Sequence, residues 1–226
     1  MSQRWFVPFF ALLLIGVTLL STGCGGGSKA QLRVMQASPD ESNLDVLVDG
    51  NVVSSDLSYE ANTGYLSVSS GSHQLSLNTT GTSSSVLTTS LSVGSNTQTT
   101  VIAANFASSL STIVLTDNNT TPTAGDIQLR VVNAAPGMGT VDVYIVPPGT
   151  DLSTVAPTIT GLAFQSASSY QTITAGDYEV FFTLTGTRFA YIDTGSLSFS
   201  DGQIRTIVGL NNPSGGYTFV SLADFN

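Results

Sequence analysis

One cysteine, one histidine and 15 acidic residues against 6 basic ones make up most of what this 226-residue chain offers to reactive chemistry. Cys24 stands alone, so it has no partner for an intramolecular disulfide. His73 has neither a second histidine nor a cysteine near it, and zinc sites or Ser-His-Asp relays need such partners. It falls in phase with Leu75 and Leu77 and reads as an aromatic-shaped residue at the rim of a sheet. Serines are abundant, yet none sits in a GxSxG elbow. Asp40-Glu41 and Asp117–Asn119 could offer oxygens to calcium, but no DxDxDG-like spacing accompanies them, and solvated turns are the plainer reading. Tyr59, Tyr65, Tyr144, Tyr170, Tyr191 and Tyr217 could line a glycan groove or fill core and rim positions. No residue stands out as catalytic, metal-ligating or cofactor-binding, and the chain reads as a non-enzyme without a cofactor.

The cysteine makes sense by its position. Arg4 precedes an apolar run from Trp5 to Leu20, then come Ser21-Thr22-Gly23 and Cys24. A short positive region, an apolar core and small residues form a secretory signal. With the cysteine directly after them, the stretch resembles a bacterial lipoprotein signal in which the cysteine is acylated and becomes the first mature residue. Leu20 lies one place further from the cysteine than the usual pattern has it. Two or three acyl chains on one residue anchor stably where one is marginal. In such lipoproteins an Asp after the cysteine tends to retain the protein at the inner membrane. Gly25 stands there instead, so the resemblance implies the outer membrane of a Gram-negative cell. Residues 1–23 are therefore the signal peptide and 24–30 a Gly-rich tether.

The formal charge of −9 disfavours phosphate backbones, so nucleic acid is not an expected partner. It also disfavours docking on anionic lipid by charge alone. The expected partners are the membrane, through the lipid on Cys24, and an envelope protein or glycan.

The elements that must position any site are strands. Leu44, Val46 and Val48 alternate with Asp45, Leu47 and Asp49, the period of a strand with one buried face. Asp49-Gly50-Asn51 signals a hairpin before Val52-Val53. His73, Leu75 and Leu77, then Val86–Val93, Thr99–Ala104 and Thr112–Thr116 continue the pattern. About seven short strands with regular turn signals point to a sandwich. No segment keeps a helical period.

The whole order then recurs. QLRVMQASP at Gln31–Pro39 returns as QLRVVNAAP at Gln128–Pro136, and Asp45-Val46 as Asp142-Val143. Tyr65, Gly71 and Thr80-Gly81-Thr82 return as Tyr170, Gly176 and Thr185-Gly186-Thr187, with the extra residues falling in Pro147–Thr160. The expected architecture is all-β, two tandem immunoglobulin-like antiparallel β-sandwiches at residues 31–116 and 127–226, joined by a linker at 117–126. Arg33 with Asp45, and Arg130 with Asp142, recur at equal spacing. Each faces away from the apolar set of its own strand, so cross-strand ion pairs on an outer face are expected, worth about 0.2–1 kcal/mol each.

The LRVMQASPD opening, the LDVLVDG strand and turn and the GYLSVSSG segment resemble the bacterial family catalogued as domain of unknown function 4397. The second half is similar through LRVVNAAP, VDVYI and ITAGDYEVFF, although Val146-Pro147-Pro148-Gly149 replaces the Asp-Gly turn. The resemblance implies secreted or lipid-anchored proteins with immunoglobulin-like sandwiches, and it carries no catalytic residue. The expected function is a lipid-anchored, non-catalytic structural, adhesion or protein-interaction module of the cell envelope, with strand addition at an exposed edge as one mode. The alternative is a binding protein for a glycan or small molecule, using the cleft between domains or the 147–160 loop.

Overall fold

The computed structural model describes residues 1–2 and 29–225. The expected signal peptide from residue 3 onward, Cys24 and the expected tether up to Ser28 lie outside the described residues. In the first half the strands are β1 (Lys29–Ala37), β2 (Leu44–Val48), β3 (Asn51–Leu57), β4 (Leu66–Ser69), β5 (Gly71–Thr79), β6 (Ser85–Val93), β7 (Gln98–Ala104) and β8 (Ser111–Asp117). In the second they are β9 (Asp126–Asn133), β10 (Val141–Val146), β11 (Ile159–Leu162), β12 (Ser166–Ala167), β13 (Gln171–Thr174), β14 (Gly176–Leu184), β15 (Ala190–Asp193), β16 (Leu197–Phe199), β17 (Ile204–Asn211) and β18 (Tyr217–Phe225). The only helical pieces among the described residues are short 3₁₀ turns at Ala107–Ser109 and Leu152–Thr154.

Each half is a sandwich of two sheets. The first stacks β4-β1-β7-β8 on β3-β2-β5-β6. Its core consists of the alternating residues Leu32, Val34, Leu44, Val46, Leu75, Leu77 and Val101, all at most 1% exposed. Burying each such side chain stabilises the fold by about 1.5–3 kcal/mol. The Asp49-Gly50 turn joins β2 to β3 with φ of 51° and 78°, the left-handed pair that matches strand twist in a two-residue hairpin. The second sandwich stacks β9, β17 and β18, edged by β12 and β13, on β11-β10-β14 with β15 and β16. Its core includes Leu129, Val131, Val143, Val180 and Phe182. The all-β, two-sandwich reading holds, with one difference. Each sandwich contains a parallel pair, β1 with β7 and β9 with β17, among otherwise antiparallel strands.

The opposite faces of β1 and β9 are not solvent-exposed. Met35, Ala37, Ile102, Ala104, Ile113 and Leu115 of the first sandwich meet Val132, Ala134, Val208, Leu210 and Leu222 of the second in a third apolar cluster. The two inner sheets thus lie face to face and the molecule has four layers. Both halves run their first strand in the same direction. At the end where β1 begins, Asn118 donates to Gln128; at the other end Tyr59 donates to the Asn211 carbonyl and Gln165 to Ser111. These ends are called the near end, beside Lys29, and the far end.

Candidate functional site

Between the two inner sheets lies a charged seam built twice. Arg33 on β1 donates from Nη2 to Asp224 on β18 at 2.5 Å and from Nη1 to the Ala223 carbonyl at 2.8 Å. Its Nε reaches Thr100 Oγ1 at 2.9 Å, and its guanidinium stacks 4.5 Å from the Tyr65 ring centre. Arg130 repeats this across the seam. It donates to Asp117 on β8, to the Thr116 carbonyl at 3.1 Å and to Thr206 Oγ1 at 3.0 Å, and stacks 4.6 Å from the Tyr170 ring centre.

The carboxylates are completed in the same symmetric way. Asp117 Oδ2 accepts from Thr100 at 2.5 Å and Tyr65 at 2.7 Å; Asp224 Oδ2 accepts from Thr206 at 2.5 Å and Tyr170 at 2.8 Å. Each of these two arginines thus hydrogen-bonds a carboxylate of the other sandwich, with the carboxylate of its own sandwich further off, at 3.8 Å for Arg33–Asp117 and 3.6 Å for Arg130–Asp224. The four charged side chains are 0–4% exposed, and their charges cancel. Isolated burial of such charges is costly, so the hydrogen bonds on each oxygen and N–H are what make the arrangement tolerable. Desolvation pushes the Tyr65 and Tyr170 phenols above their ordinary range, and the adjacent aspartates push the same way. The phenols are held as donors. Chemically the seam is a closed clamp.

The ion pairs expected from the sequence, Arg33–Asp45 and Arg130–Asp142, do not form. Each arginine sits on an inner sheet and each aspartate on the outer sheet of the same sandwich, on strands that are not neighbours. Asp45 instead accepts from the backbone N–H groups of Asp56 and Gly81, both at 3.0 Å. Those two bonds hold its carboxyl below the usual carboxylate range. Asp142 accepts from Gly161 and Gly186 N–H, both at 2.8 Å. All four donors have positive φ, between 57° and 75°, so each aspartate pins two left-handed turns.

His73 is 9% exposed and ties down the near end of the first sandwich. Its Nδ1 lies 2.6 Å from Asp49 Oδ2 and its Nε2 lies 2.9 Å from the Ser69 carbonyl. Both of these partners accept, an arrangement that favours the imidazolium, whose two ring nitrogens both donate. The Asp49 hydrogen bond first, then the Ser69 carbonyl, raises its pKa above the ordinary 6.5. Tyr178, its counterpart, donates to the matching carbonyl of Thr174 at 3.0 Å. Asp40 accepts from Ala107 N–H at 2.8 Å. Among the described residues no three His, Cys, Asp or Glu side chains gather as a metal site.

The six tyrosines do not form one groove. Tyr59, Tyr65 and Tyr170 serve the interface between the sandwiches, whose cleft is filled. Tyr144 is fully buried, and Arg188 lies over its ring while donating to the Leu152 and Val155 carbonyls of the 147–160 loop. Tyr191 and Tyr217 remain, and with Phe189 they make an aromatic corner at the far end of the second sandwich. Phe189 is 66% exposed and meets Tyr191 edge-on, centroids 5.7 Å apart; Tyr191 meets Tyr217 at 5.1 Å. Tyr217 donates to the Gly137 carbonyl at 2.6 Å, and Gly137 N–H donates to the Asn211 side chain at 3.2 Å. At the near end a 260 Å³ pocket, lined by Lys29, Gln31, Ser67, Asn96, Gln98 and Asn119, carries no ring.

Sequence reasoning missed Phe189 and the roles of Asp117 and Asp224. For the aspartates a signal existed: TIVLTD and FVSLAD place Asp117 and Asp224 at the ends of matching strands.

Among solved structures, the chain is similar to a family CBM26 module from Eubacterium rectale Amy13K in complex with maltoheptaose, at 13% identity and TM-score 0.27, covering 85% of this chain and 97% of that one. It is also similar to an α-glucan-binding streptococcal virulence factor, at 10% identity and TM-score 0.29, covering 82% and 98%. The Bacillus anthracis TIE protein matches at 10% identity and TM-score 0.27, covering 87% and 44%. Likeness this remote carries no weight for what this chain binds. No curated protein matches. The family whose pattern does match, over residues 30–144, is described as Domain of unknown function (DUF4397), and the chain belongs to it.

Proposed function

We propose that the chain is a lipid-anchored, non-catalytic module of the cell envelope, held by acyl chains on Cys24 and presenting its far-end loops and edge strands to a partner. The observation that carries this reading is the exchanged Arg33–Asp224 and Arg130–Asp117 seam, which joins the two sandwiches into a single stiff body. A stiff body tethered beside its near end holds its far end away from the bilayer, which is what a presenting or adhesive module needs. Gly25 after the cysteine favours the outer membrane. Exposed Val52 and Val53 on the edge strand β3 supply a surface for strand addition.

The test is mass spectrometry of the membrane fraction, wild type beside Cys24→Ala. The expected result is a mature chain beginning at acylated Cys24 and release of the variant from the membrane. An unmodified Cys24 in a soluble chain overturns the anchoring.

A second reading, a glycan-binding protein, is favoured by one observation: the far-end corner, where Phe189 is exposed and the half-buried rings of Tyr191 and Tyr217 stand beside it. It moves the binding surface away from the filled cleft and from the loop that Arg188 holds down.

A further inference from the structure

We infer that the corner formed by Phe189, Tyr191 and Tyr217 is a binding site for a neutral oligosaccharide, an assignment that rests on the glycan reading and names its site. The argument begins with the duplication. Features that both halves share belong to the fold: the seam arginines, Asp45 and Asp142, and His73 with Tyr178 all recur. The corner does not recur. Aligned on Gly81 and Gly186, Phe189 corresponds to Ser84 and Tyr191 to Val86. Aligned on Asp117 and Asp224, Tyr217 corresponds to Leu110. In the first sandwich Val86 and Leu110 pack against the core where Tyr191 and Tyr217 do so in the second, so folding asks for an apolar side chain at those two positions but not for an aromatic ring, and at Phe189, matched by Ser84, it asks for neither. Yet Phe189 is 66% exposed, a cost in solubility that its edge-on contact with Tyr191 offsets only in part.

The corner is also held in place before any ligand arrives. Asp142 grips Gly186 N–H in the turn that carries Phe189, and Leu184 N–H donates to the Phe189 carbonyl at 3.0 Å. Tyr217 is tied to Gly137, and Asn211 below it is tied through its carbonyl to Tyr59 of the first sandwich. Rigid rings give affinity because little freedom is lost on binding.

The chemistry of the rim selects the ligand. Rings with hydroxyls and amides between them suit a molecule that has apolar C–H faces and hydroxyl edges. The Tyr217 hydroxyl and the Asn211 amide stand at the corner, and a Cβ on Gly137 would come within 3.1 Å of Asn211 Nδ2 and 3.3 Å of the Tyr217 hydroxyl. The neighbouring cation, Arg188, is committed to the Leu152 and Val155 carbonyls, and the chain carries a net charge of −9. Anionic polymers are therefore poorly served, and a neutral sugar chain fits.

The experiment uses the full chain in detergent micelles and neutral oligomers of glucose, mannose, galactose and N-acetylglucosamine. Saturation-transfer NMR detects binding and calorimetry gives Kd. At least one series binds wild type. Phe189→Ala melts like wild type and weakens that binding about tenfold or more, and Phe189→Trp restores it. Asp142→Asn, which loosens the turn, weakens it in the same direction. Phe106→Ala, exposed on the first sandwich, leaves it unchanged. If sugar binds equally well to Phe189→Ala, the glycan reading stands and this site is overturned. If no series binds wild type, or only apolar peptides bind, both fall.

Discussion

Arg33 and Arg130 recur in the sequence because each is needed by the other sandwich. Removing one partner leaves a buried, uncompensated carboxylate. Arg33→Met is therefore expected to destabilise the chain by about 3–5 kcal/mol, measured by denaturant unfolding. Arg33→Met combined with Asp224→Leu is expected to lose much less than the sum of the single changes, because the orphaned charge goes with its partner. His73 gives a second residue-scale outcome. Its raised pKa stabilises the fold fully below 6.5, and that contribution is lost as pH rises through the folded value. Asp49, lowered from 3.8 mainly by His73, contributes above 3.8 and loses its contribution as pH falls through its own folded value. The pair is thus most effective between those two ordinary values. An NMR titration of His73 is expected to show a midpoint above 6.5, moving back toward it in Asp49→Asn. At this scale the sequence revealed which charges recur and misassigned their partners. Period two shows that Arg33 points away from Leu32 and Val34. It does not show whether that side meets water or another sheet.

At the scale of elements the sequence was far more legible, because alternation and turn chemistry are local. The Asp49-Gly50 hairpin and the strands at Leu44–Val48 and Gln98–Ala104 lie where the pattern puts them. The inner sheets carried a further signal. Val101-Ile102-Ala103-Ala104 and Ile207-Val208 are apolar at consecutive positions, which is how a strand buried on both faces reads. Phe189 and Tyr191 lie two residues apart along one stretch, but Tyr217, which completes the corner, comes from β18, and no local period announces that meeting. Close packing inside the second sandwich yields a prediction of its own. A Cβ at Gly209 on β17 would stand 2.8 Å from the Phe182 ring, 3.1 Å from Met138 and 3.2 Å from Ile192. Gly209→Ala is expected to cost about 1–3 kcal/mol by overpacking, read as a lower denaturation midpoint with an unchanged slope.

For the whole molecule, the third apolar cluster and the charged seam together make the interface resemble a domain core, and the two sandwiches are expected to melt as one. Calorimetry of the intact chain should give a single transition whose calorimetric and van't Hoff enthalpies agree; two separated transitions would refute the coupling. The seam has a further consequence through its symmetry. Contacts that are exchanged between equivalent halves are those of a two-fold dimer, in which residue i meets j and j meets i. The halves behave as two protomers fused into one chain, and residues 118–125 set their effective concentration, in the millimolar range for a short connection. Cleavage in that segment would leave every contact of the fold in place and yet make its persistence depend on dilution. Where neighbouring chains reach comparable concentrations, a cut chain would exchange halves with its neighbours, while an intact chain keeps its own.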